Sequence, residues 1–197
     1  MSIVLQGSTS GSITLQEPAV AGSTVLSLPA TSGTILTSAS TGISASNITT
    51  GTLPAAQAVS GSIIQVAQYL NYTYASTTNS SFTATGYAVT ITPKSATSTM
   101  LIRCALSGSQ SASNGAGYFT IYRNGSNLAG ANGYNTLYTN ASFSNPFRIP
   151  VVIELTNASS GTSAITYEIY FKTNTVGTVA LNQDSTASSI TVMEIAP

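Results

Sequence analysis

The chain has 197 residues, 42% of them hydrophobic but only 5% charged, with five Lys or Arg against five Asp or Glu for a net charge of zero. Soluble domains usually carry roughly a quarter charged residues, so this chain rests its solubility on hydroxyls and amides and has no basic patch for nucleic acid or an anionic membrane. Histidine is absent, which removes His-based acid–base work, the Ser-His-Asp arrangement and most zinc sites.

The opening "MSIVLQGSTSG" lacks both the basic and the sustained apolar region of a signal peptide, and no later stretch reaches the length of a membrane helix. A cytosolic origin in a prokaryotic setting is the expectation. From Gly11 to Thr37 a spacing emerges: Gly11, Gly22 and Gly33 stand eleven apart, and so do Pro18 and Pro29. Each unit reads as a short strand closed by a Gly/Pro turn. A unit offers one or two apolar side chains, too few for a core, and repeated β units need neighbours. Residues 1–37 are therefore expected to form a β-repeat anchor and assembly arm. Strands from several copies would bury Ile13, Leu15, Leu26, Leu28 and Ile35, or the arm would lie along a partner by strand addition. Glu17 is the single charge before Lys94, so little holds copies of this half apart.

Residues 38–61 fall in hydrophobic density, are rich in Ser, Thr, Ala and Gly, and read as a linker. From 62 to 197 the texture is strand-like. Runs such as "SIIQVAQYLNYTYA", "STMLIRCALS", "FRIPVVIELT" and "SSITVMEI" are bounded by turn-rich pieces such as "ASNGAG" and "NQDSTA". Asn124-Gly125 is the best two-residue hairpin turn. Alternation is strictest at Ile165, Tyr167, Ile169 and Phe171, with Thr166, Glu168, Tyr170 and Lys172 on the other face. Eight or nine such strands predict an all-β protein whose knob is an antiparallel β-sandwich of jelly-roll type.

Few residues suggest chemistry. Cys104, the one cysteine, sits in an apolar run and is expected to pack as a small hydrophobe. Glu154 and Glu168 are placed in adjacent strands, where they could face each other as a glycosidase pair. The plainer expectation leaves each on a solvated strand face opposite Lys172 or Arg148. Asp184 is the sole Asp, so no calcium loop is expected. Among ten tyrosines, Tyr69, Tyr72 and Tyr74 are expected to pack in the sheet or between subunits, whereas Tyr134 and Tyr138, in an Asn/Gly-rich region, could equally contact a sugar. No catalytic residue, cofactor or metal is expected.

At "LQGSTSGSITLQEPAVAGSTVLSLPATSGTILT" and "ISASNITTGTLPAAQ" the sequence resembles the N-terminal parts of fibre and other virion-surface proteins of tailed bacteriophages, and "SFTATGYAVTITPKSATSTMLIRCALSG" is similar to their β-rich C-terminal modules. The resemblance implies a homotrimer, made in the bacterial host cytoplasm and carried on the virion surface. Its arm would attach to other virion proteins, either tail and baseplate, as a tail fibre with host glycan as a further partner, or major capsid protein, as a decoration or cement protein.

Overall fold

The structure is a computed structural model, and it describes residues 3–6, 8–15, 58–142 and 147–197. The chain divides into two units, residues 1–51 and 52–197. In the first, β1 (Ile3–Gln6) and β2 (Ser12–Leu15) form an antiparallel two-stranded ribbon, with Ile3 opposite Leu15 and Leu5 opposite Ile13.

The second unit is an antiparallel β-sandwich. One sheet holds β3 (Ile63–Asn71), β4 (Ala75–Thr77), β6 (Thr99–Gln110), β10 (Phe147–Ala158), β12 (Val179–Leu181) and β13 (Ser188–Ile195). The other holds β5 (Thr83–Ile91), β7 (Ala116–Arg123), β8 (Ser126–Asn127), β9 (Asn135–Tyr138) and β11 (Ile165–Thr173). Because β10 pairs with β6 along its whole length, β12 and β13 must share β6's other edge, one after the other. They in turn pair with β4 and β3. The first sheet is thus four rows wide: β3/β4, β13/β12, β6, β10. The second is β5, β11, β7 and then β9/β8. Numbered along the chain, rows 1-8-3-6 face rows 2-7-4-5. This is the double Greek key of the jelly roll, as expected from the strand spacing.

The physical cause of these strands is period-two patterning with β-branched and aromatic residues. In β11, Ile165, Tyr167, Ile169 and Phe171 all point into the core while the intervening residues face out. Across from them the first sheet contributes Met100, Ile102, Cys104, Val151, Ile153, Ile190 and Val192, all buried. Cys104 packs as a small hydrophobe, and burial pushes its thiol up to about 12. Pro150 lies in β10, the outermost row, where a missing N–H removes no ladder bond on the open side. The Asn124-Gly125 turn closes β7 onto β8, both residues at positive φ (47° and 82°), which only Asn, Asp or Gly adopt cheaply.

Candidate interaction surfaces

The expected anchor residues divide in two. Ile13 and Leu15 lie on β2 of the ribbon, paired with Leu5 and Ile3. Leu26, Leu28 and Ile35 lie outside the described residues. In β1, Val4 and Leu5 are successive residues of one strand and so point to opposite faces, yet they are 51% and 55% exposed. Among the described residues the ribbon thus has apolar side chains open on both faces, and isolated ribbons of this size are marginal in water.

The expected pairing of Glu154 with Glu168 is corrected by the topology. Glu154 is on β10 of the first sheet and Glu168 on β11 of the second, each on the outward side, so the whole core separates them. Sequence neighbours in a Greek key commonly sit in different sheets, which is what placed these two strands apart. Their expected partners change too. Glu154 faces Arg103 across the ladder, with Nε 3.8 Å from Oε2. The Glu168 carboxylate accepts from the Gly86 N–H at 3.2 Å. Arg148 instead meets Asp184 at 2.6 Å. Among the described residues no three His, Cys, Asp or Glu side chains come together as a metal site would need.

One acid escaped the sequence reading. Glu194 is fully buried and its carboxylate accepts from the backbone N–H groups of Lys94 (2.8 Å) and Ser95 (3.1 Å) and from Gln65 Nε2 (2.5 Å). It fastens the β5–β6 connection and the β3 edge to the last strand. The signal was available: Ser188, Ile190, Val192 and Glu194 share one face of β13. A second polar centre lies where β3 passes to β4 and β12 to β13 at the same level. There Asn182, at φ 56°, donates to the carbonyls of Asn71 (2.7 Å) and Thr73 (3.3 Å) and to Tyr87 Oη (3.0 Å), and accepts from Ser188 Oγ (2.5 Å). Tyr87 Oη donates to the Thr73 carbonyl, and burial pushes this phenol up to about 12. These bonds satisfy the backbone groups that two interrupted strands leave unpaired.

The tyrosines sort unexpectedly. Tyr134 is 40% exposed and donates its hydroxyl to the Leu128 carbonyl at 2.8 Å, while Tyr138 is 62% exposed on β9. Four residues apart along an extended chain, they stand about 13 Å from each other and do not form one platform. Tyr69, Tyr72 and Tyr74 are not packed within the chain but exposed.

The aromatic cluster is elsewhere, on the outer face of the second sheet. Tyr122 and Tyr170 stack at 3.8 Å, Phe82 meets Tyr122 edge-on at 6.4 Å, and Lys172 Nζ lies 4.8 Å from the Phe82 centroid and 5.1 Å from that of Tyr118. Lys172 also donates to the Ala131 carbonyl at 2.6 Å. The loop before β9 comes so close that a Cβ on Gly133 would sit 2.3 Å from the Phe119 carbonyl oxygen. This face is filled by its own side chains.

The first sheet's outer face is different. Its ladder registers define three rows running from β3 to β10: Val66–Met193–Leu101–Thr156, then Gln68–Thr191–Arg103–Glu154, then Leu70–Ser189–Ala105–Val152. The small residues in the third row leave hollows. A cleft of about 450 Å³ lies between Ala105, Ser107, Pro150, Val152 and Thr186, and a second of about 310 Å³ adjoins it at Ala105 beside Gln68 and Met193.

The fold and these surfaces define a class, the two-sheet antiparallel β-sandwich with a separate leading ribbon. Comparison with protein-family models and with curated proteins finds no match. Among solved structures the chain is similar to dimeric latent PorU from Porphyromonas gingivalis, at 10% identity and a TM-score of 0.33, over 72% of this chain and 14% of that one. A likeness that slight carries no argument about function.

Proposed function

We propose that the chain is a non-enzymatic structural protein of a tailed-bacteriophage virion surface, a homotrimer whose leading arm attaches to other virion proteins and whose β-sandwich forms the outward knob. The observation that carries the reading is the ribbon: Val4 and Leu5 exposed on opposite faces, in a region whose one charge before Lys94 is Glu17. Such a segment gains stability only by association, and the sandwich after it is a self-sufficient unit with its own core. As a tail fibre the knob would meet the host, with Tyr138 exposed for a surface sugar. As a capsid decoration protein the uncharged arm would lie between capsomers of the major capsid protein.

The test is electron microscopy of virions labelled with an antibody against residues 62–197. Label at the tail assigns the fibre role, label over the head assigns decoration, and unlabelled particles overturn the reading. Deleting residues 1–36 is expected to leave a folded knob that is missing from purified particles.

A further inference from the structure

We propose that the outer face of the first sheet is where copies of this chain pack on one another, the β3 rim of one copy seating in the Val152 cleft of the next. The inference rests on the homotrimer in the reading above but not on any place in a virion.

Three observations carry it. First, apolar side chains are open at both ends of the third row, Leu70 at 49% and Val152 at 54%, and Val66, at the β3 end of the first row, is 59% exposed. Tyr72 and Tyr74 extend the exposed rim past the end of β3. Second, β3 is a nine-residue outermost row with neither a charge nor a proline. Exposed edges that stay solitary are usually blunted by Lys, Pro or a bulge that turns the edge away. β3 carries no such charge or proline, and its one register irregularity lies at its very start, opposite Glu194 and Ile195. Third, the charges on this face are matched inside the chain, Arg103 with Glu154 and Arg148 with Asp184. An anionic partner finds no free cation among them, whereas a second, equally neutral copy meets no unpaired charge.

The geometry sets the mode. Leu70 and Val152 end the same row three strand spacings apart, about 14 Å. Rim and cleft are thus different patches on one molecule, and their contact is head-to-tail, which closes into a ring when the rotation between copies divides the circle. The cleft of about 450 Å³, lined by Ala105, Ser107, Pro150 and Val152, has room for apolar side chains of that rim.

The full-length purified protein tests this by analytical ultracentrifugation. Wild type is expected to sediment as a trimer, and Leu70→Arg and Val152→Arg, each alone, as monomers with an unchanged far-ultraviolet circular dichroism spectrum. The milder double variant Leu70→Cys/Val152→Cys, oxidised, is expected to give a covalent ladder up to trimer on a non-reducing gel. Cys104 is buried and stays out of that reaction. Monomeric wild type overturns the proposal, as does assembly that survives both arginine variants. Disulfide dimers from Leu70→Cys alone would show β3 meeting β3 and overturn the head-to-tail contact.

Discussion

The two outer faces of one sandwich have solved the same problem in opposite ways. On the second sheet, aromatic residues at outward positions fold down on each other, Tyr122 against Tyr170 with Phe82 edge-on, and Lys172 lies over the Phe82 and Tyr118 rings. On the first sheet the outward positions between Leu70 and Val152 are Ser189 and Ala105, with Ser107 and Thr191 close by, too small to cover those two side chains. The difference teaches that outward apolar residues have two fates: enough ring area makes a satellite core, and less leaves apolar surface exposed.

The comparison can be broken by measuring where substitutions hurt the isolated chain. The largest effect is expected between the faces: Glu194→Ala strands the buried N–H groups of Lys94 and Ser95 and should cost about 3 kcal/mol in urea unfolding, with Glu194→Gln costing less because its oxygen still accepts. On the filled face, Tyr122→Ala should cost about 2 kcal/mol by loss of the stacked pair and its buried area. On the hollow face, Leu70→Ala should change the monomer's stability by less than about 0.5 kcal/mol and act on assembly alone. Equal losses at Tyr122 and Leu70 would erase the distinction between the faces.

A graded effect comes with alkali. Cys104 and Tyr87 ionise in the unfolded chain near 9 and 10 but in the fold only at about 12. Between those values the unfolded state holds fewer protons than the native one, so stability falls as pH rises. The unfolding free energy should be flat below pH 9, fall by up to about 1.4 kcal/mol per pH unit once Cys104 titrates in the unfolded chain, and fall more steeply from pH 10 to 12, where Tyr87 adds its own loss. Cys104→Ala should delay the onset to near pH 10, and a midpoint insensitive to alkali would show the interior open to water.

Most strands were legible because alternation with β-branched and aromatic residues is a local signal. The Asn124-Gly125 hairpin and the inward set of β11 stand where the pattern put them. Legibility failed where partners come from far along the chain. Glu154 and Glu168 were paired by nearness in sequence, but chain crossing between sheets put the core between them. Tyr122, Tyr170 and Phe82 stand far apart in the sequence, and only the register of β7, β11 and β5 makes them one cluster. Glu194 drew no reading of its own because charge usually stays at the surface, though its parity matched Ile190 and Val192.

What the sequence by itself determined is the class of structure: strands, their turns and, in β11, the inward face, all properties set by residues within a few positions of one another. Which strands became neighbours, which acid went inside, and which outer face was left hollow were decided only in the tertiary structure. Those outcomes depend on contacts between residues up to a hundred or more positions apart, such as Gln65 with Glu194, and on packing that no local pattern encodes.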